Sequence, residues 1–167
     1  MTVIINDTNI FIDLCNVSLI DHFFQLPFEF HTVDFVINEI NKNEQMDKVE
    51  PYITNNKLFV KQFDGNELLQ ITMRQNEHRK LSIIDCSVWI YAEKTGYRLL
   101  TGDKLLRDLA SKNNVEVSGI IFIFDKLIEY GILTKGEAAL KLEELKKTNK
   151  RLPMKIIDER INEWLNG

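Results

Sequence analysis

The sequence predicts an α/β fold built on a central, mainly parallel sheet with helices on both faces. Short β-branched runs alternate with amphipathic segments through most of the chain, the order that right-handed crossovers lay down as a parallel sheet. Acids also recur just past the ends of these runs, at Asp7 and Asp103, and the carboxyl edge of such a sheet is where ligands bind.

A chain of 167 residues suits one domain with a real core. Its 44% hydrophobic and 28% charged content is that of an ordinary globular protein, and three prolines and seven glycines argue against long linkers or disordered tails. The longest apolar runs, such as 119–124 (GIIFIF), fall well short of the roughly 18 to 20 residues that span a bilayer. The opening MTVIINDTN carries no basic residue before its apolar run, so no secretory signal is expected. Cys15 and Cys86 have no metal-ligand spacing and read as free thiols of a reducing cytoplasm. A net charge of −4 and a pI near 5.4 exclude a protein that holds nucleic acid by a broad basic surface. They leave a nuclease open, because acids gathered round a divalent cation lower the formal charge.

Taken in order, Thr2–Asn6 (TVIIN) reads as a buried strand. Asp7, Thr8 and Asn9 follow, polar groups suited to a helix start, before the helical pattern of Ile10, Phe11 and Leu14. Val17–Leu26 reads as an amphipathic helix stopped by Pro27, and Phe28–Val33 as a strand. Phe35–Asn41 reads as a helix with Glu39 at the edge of its apolar face. Residues 43–51 are polar, a helix tip or a loop. Lys57–Phe63 reads as a strand, and a helix starts at Gly65.

Ser82 caps the next helix, with Asp85 at the capping-box position, and Gly96 ends it at a left-handed cap. Capping alone would account for Asp85. It is also an acid in the first turn of a helix apolar on most sides, a preorganised anion at the edge of the core. Tyr97–Thr101 is a short strand, Gly102 a tight turn, and Asp103 opens the next helix; Asp108, five residues on, falls on another face. Val115–Val117 is the last strand. Helices then run from Gly119 to Gly131, from the Thr134/Glu137 capping box, and from Met154 to Leu165. Residues 1–118 are expected to form the core of a single domain, and 119–167 a helical C-terminal extension.

Asp7, Glu39, Asp85 and Asp103 all lie at strand ends or beside helix termini. Acids sharing a partly dry pocket stay ionised together only around a cation. Oxygen ligands without histidine or cysteine select Mg²⁺ or Mn²⁺. These residues carry a resemblance. Asp7-Thr8-Asn9 after the first strand, Glu39 in VINEI, Asp85 in LSIIDCSVWIYAEKTG and Asp103 in LLTGDKLLRDLA resemble the PIN-domain nucleases over about residues 1–118, and the ending looks like that of small prokaryotic PIN-like proteins. The resemblance implies a three-layer α/β/α sandwich, Mg²⁺ or Mn²⁺ bound by Asp7, Glu39, Asp85 and Asp103, and endoribonuclease activity. It also implies that Asn9 and Thr101 orient carboxylates or phosphate. A toxin role, a small antitoxin protein as partner and a homodimer follow from it by analogy.

The leading expectation is therefore a metal-dependent endoribonuclease whose RNA substrate is gripped by Lys104, Arg107, Arg74, Arg79 and Lys80. The tail is read the same way, since residues 141–160 hold seven Lys/Arg against four acids. The alternative is a non-catalytic RNA- or protein-binding module that keeps the fold. A phosphatase of the haloacid dehalogenase type also starts strand-Asp, but it needs a second Asp where Asn9 stands. His22, His31 and His78 are scattered without ligand spacing, and no membrane association is expected.

Overall fold

The computed structural model of the chain describes residues 1–167. Its sheet contains β1 (Val3–Asn6), β2 (Glu29–Val33), β3 (Leu58–Lys61), β4 (Arg98–Leu100) and β5 (Val117–Ser118). They lie in the order β3-β2-β1-β4-β5, and every pairing is parallel. The central positions go to strands that are apolar on both faces: Ile4 and Ile5 of β1, and Leu99 and Leu100 of β4, are completely buried. The chain lays β2 and β3 outward on one side of β1, then returns to place β4 on the other. The strand order thus reverses between β1 and β4, where open α/β sheets form their binding crevice. Asn6 pairs with Leu100, and the Asp7 amide donates to the Leu100 carbonyl at 3.0 Å. Asp7 and Thr101 therefore leave the sheet side by side.

Ten helices cover the sheet: α1 (Thr8–Asn16), α2 (Ile20–Phe23), α3 (Asp34–Ile40), α4 (Met46–Thr54), α5 (Gly65–Glu77), α6 (Ile83–Thr95), α7 (Lys104–Lys112), α8 (Ile120–Glu129), α9 (Lys135–Thr148) and α10 (Met154–Asn166). α5 and α7 flank α6, which lies over β1, β2 and β4; α1 groups with α2, α3 and α9. Right-handed crossovers put these groups on opposite faces, which makes three layers. Local signals place several ends. Asp64/Glu67, Ser82/Asp85 and Thr134/Glu137 form capping boxes, and Gly96 ends α6 at φ 75°.

Three local expectations are corrected. The continuous helix expected over Val17–Leu26 shrinks to the single turn of α2, because Ser18 adopts a left-handed φ of 57°. Val17, Leu19, Ile20, Phe23, Phe24 and Leu26 are all buried, so the segment packs on every side rather than on one helical face. The tip or loop expected at 43–51 contains α4, with Pro51 inside it. The hydrogen bond lost at Pro51 is offset by the burial of Val49 and by Tyr52 stacking on Phe24 at 3.9 Å between ring centroids. The last strand lies at Val117–Ser118 rather than Val115–Val117, because the Val115 amide turns back to the Ala110 carbonyl at the end of α7.

The C-terminal helices share the core. Ala138, Leu142 and Leu145 of α9 are buried in the same apolar cluster as the sheet, α9 packs on α1, and Trp164 of α10 meets Phe124. Asn149, just past α9, donates through Nδ2 to both oxygens of Asp13 on α1, at 3.2 and 3.0 Å. A core that includes α9 should lose stability when α9 is hollowed out. Leu142→Ala should cost about 3 kcal/mol in urea unfolding and leave one transition. A loss confined to a separate, early transition would show that the tail folds apart.

Candidate active site

Each acid reaches the carboxyl edge by a short local path. β1 ends at Asn6, and Asp7 becomes the N-cap of α1: its Oδ1 accepts from the Thr8 amide at 2.8 Å. Its Oδ2 accepts from the Thr101 hydroxyl at 2.7 Å. The same hydroxyl oxygen accepts from the Asp103 amide at 3.1 Å, so one threonine ties the two acids together. Asp103 is the N-cap of α7 and takes the Leu106 amide at 2.9 Å. Between them the Gly102 amide donates to Asn9 Oδ1 at 2.9 Å. A Cβ at Gly102 would lie 3.4 Å from the Asn9 side chain, so glycine lets this turn approach α1 closely. Asp85 accepts from the Ser82 amide at 2.9 Å within its capping box. Glu39, in the last turn of α3, accepts from the Thr8 hydroxyl at 2.7 Å.

Three of the four acids thus sit at helix N-termini, whose partial positive charge favours the carboxylate. Burial works the other way. Asp7 is 3% exposed, and burial pushes its carboxyl up to about 7; the Thr101 and Thr8 hydrogen bonds oppose this, and the charges of Asp85 and Asp103 add to it. Burial also raises Asp85, with further pressure from Asp103 and Glu39. The four acids therefore act on one another, and none of them is ion-paired to a lysine, arginine or histidine. Asp85, Asp103 and Glu39 each keep one oxygen that takes no hydrogen bond from the chain.

No three acidic, histidine or cysteine side chains close into a cage. An open set of oxygen donors fits a small hard cation, which keeps most of its waters and takes only one or two carboxylates from a protein. A softer metal finds no suitable ligand here. Cys86, beside Asp85, is buried, and burial followed by the Asp85 charge pushes its thiol up to about 11. His31 is held between Tyr91 and Glu29, at 2.7 and 2.8 Å.

The basic residues divide. Lys104 is exposed in the first turn of α7, and Arg107, one turn on, gives one N–H to the Thr101 carbonyl at 3.1 Å. Arg79 and Lys80 are exposed in the connection that ends at the Ser82 cap. Arg74 does not join them. Its guanidinium bonds both oxygens of Glu93, at 2.7 and 3.3 Å, and lies 4.4 Å over the Trp89 ring, pinning α5 to α6. Asp108 is exposed, on another face of α7 from the Asp103 end.

Two clefts adjoin the Gly102 turn. One, of about 370 Å³, is lined by Asn9, Asp103 and Lys104 and walled by Asn149 and Arg151. The other, of about 210 Å³, shares Asp13, Gly102, Asn149 and Arg151 with it and extends past Arg107 to Gly119. Sequence reasoning missed Thr8 as the partner of Glu39, and Asp13 and Asn149 altogether; Arg151 entered only as one of the seven basic residues of 141–160. One signal for Asp13 was present: an acid three residues after Ile10 and one before Leu14 falls within the apolar stripe of α1.

The model of the family DUF3368, a PIN domain, matches residues 3–165. No curated protein matches the chain.

The electrostatics predict a pH signature. The Asp7 carboxyl is raised from 3.8 to about 7, so folding favours its protonated form. The stability it contributes is present below about pH 4 and lost as the pH rises through about 7. In metal-free buffer, Asp7→Asn should raise the unfolding free energy by on the order of 2 kcal/mol at about pH 8 and by little at about pH 4. Urea unfolding at the two pH values checks this; a change equal at both would contradict the electrostatic cause.

Proposed function

The chain belongs to the PIN-domain family, and from that premise we propose that it is a divalent-metal-dependent endoribonuclease. Asp7, Glu39, Asp85 and Asp103 are its metal-holding and catalytic groups. The observation that carries the reading is the gathering of uncompensated carboxylates at the β1–β4 switch point, with no cation of the chain's own among them. Such a cluster costs stability as it stands, and a bound cation offsets the cost.

A Mg²⁺ or Mn²⁺ bound there supplies a more acidic water and offsets charge that builds on a phosphodiester under attack. Asp7, Asp85 and Asp103 hold the cation directly or through water, and Glu39 helps hold it or orients the attacking water. Thr101 keeps Asp7 turned toward Asp103, and Thr8 steadies Glu39. Asn9 fixes the turn that presents Asp103. Lys104 and Arg107, with Arg79 and Lys80 in the connection that ends at the Ser82 cap, supply cations for the phosphates of an RNA strand. By the resemblance to toxin-type members, the proposal extends to a homodimeric toxin silenced by an antitoxin protein. No helix is long and apolar enough to cross a membrane.

The test is cleavage of single-stranded and structured RNA with Mn²⁺. The parent should cut and leave 5′-phosphate and 3′-hydroxyl ends, and a chelator should stop it. Asp7→Asn and Asp103→Asn should lose activity by on the order of 100-fold or more, and Thr101→Val by about 10-fold. No cleavage of any RNA would leave a binding module in place of an enzyme. Equal cleavage by the variants would sink the site assignment. Induced expression should arrest bacterial growth, and Asp103→Asn should relieve the arrest; a toxin role fails if the parent leaves growth unchanged.

A further inference from the structure

We propose that the cleft between α7, the start of α8 and the α9–α10 turn is a nucleotide subsite, which takes one base of the RNA strand beside the bond to be cut. The inference rests on the ribonuclease reading and adds where the neighbouring nucleotide sits. Four observations support it.

The cleft has the right size and place. Its volume of about 210 Å³ is enough for one base with room for water. Gly102 lies in its wall, and Gly102 is the residue between Thr101 and Asp103. Asp103 lines the adjoining cleft, which shares Gly102, Asn149 and Arg151 with this one, so a nucleotide held here neighbours a phosphodiester placed at Asp103.

Its walls suit a base. Ile120, Leu152 and Ile156 present apolar surface, and Ile156 is 52% exposed at the lip. Every nucleobase has an apolar π-face that such a wall covers at a gain.

Its cations are not ion-paired. The chain has six arginines, and Arg74, Arg98 and Arg160 are committed to Glu93, Glu116 and Asp125. Arg107 and Arg151 have no carboxylate partner, and both line this cleft. Two unpaired guanidiniums on one cleft suit a phosphate on either side of the base.

Its back wall is hydrogen-bonded and polar. Asp13 is 5% exposed and is held by Asn149, whose own side-chain oxygen accepts from the Arg151 amide at 3.0 Å. This pair sets the turn that carries Arg151 and Leu152, and it offers carboxylate lone pairs to the N–H edge of a base.

The experiment titrates the full chain, in Mg²⁺, with each of the four nucleoside 5′-monophosphates and with inorganic phosphate, and follows the methyl resonances of Ile120, Leu152 and Ile156. At least one nucleotide should shift them saturably while phosphate alone does not. Arg151→Ala and Ile156→Glu, both at exposed positions, should each weaken that binding by about tenfold. The proposal is overturned if no nucleotide moves these methyls, if phosphate alone reproduces the shifts, or if neither variant changes the affinity. Mononucleotide binding does not depend on cleavage, so the two readings fail separately. A chain that binds nucleotides here and cuts no RNA loses the ribonuclease reading and keeps the subsite. One that cuts RNA and fails the titration loses only the subsite.

Discussion

The parallel pairing of β1 with β4 is the constraint on which the rest depends. It joins residues nearly a hundred positions apart, and it does so where the strand order reverses. Once Asn6 lies beside Leu100, Asp7 and Thr101 leave the sheet together, and the Thr101 hydroxyl can reach both Asp7 and the Asp103 amide. A slip of one residue would turn Asp7 to the other face of the sheet and separate it from Thr101. Ile4, Ile5, Leu99 and Leu100, which flank this pairing on both faces of the sheet, are completely buried.

The site works against the fold that builds it. Asp7 is almost fully buried beside two other acids, which makes its charge costly. The chain answers with dipoles rather than with a lysine or an arginine. Helix N-termini, two threonine hydroxyls and backbone amides stabilise the carboxylates while leaving their remaining lone pairs open. A paired side-chain cation would stabilise the fold more and, on the proposed reading, would occupy the place of the metal. Arg74 shows the contrast. Held by Glu93 and Trp89, it contributes to packing and has no freedom left for a ligand.

The C-terminal helices have two roles at once. α9 completes the core against α1, and the turn after it, tied down by Asn149 on Asp13, forms one wall of both clefts beside the Gly102 turn. A segment that looks like an addition in the sequence is therefore part of the rim of the site. The basic excess in residues 141–160 divides as well: Lys146 and Arg160 are ion-paired on the surface, and Arg151 is left facing the cleft.

Features that depend on a few neighbouring residues were legible in the chain. The Ser82/Asp85 and Thr134/Glu137 capping boxes, the left-handed Gly96, the alternation of strand and helix, and the position of Asp7 and Asp103 at strand ends each follow from the backbone needs of one turn. Distant partners were not legible. Thr8 with Glu39, Asp13 with Asn149 and Arg74 with Glu93 are matched only when packing brings separate elements together. The same holds where burial overrides local preference, as in the broken Val17–Leu26 segment and in α4 with its internal proline. Sequence alone was enough to place Asp7 and Asp103 at strand ends and Asp85 in a capping box, because a cap or a strand end is a local event. Which hydroxyl holds each acid, which arginine is not ion-paired and which turn closes the cleft depend on distances across the fold, and only the packed chain sets those.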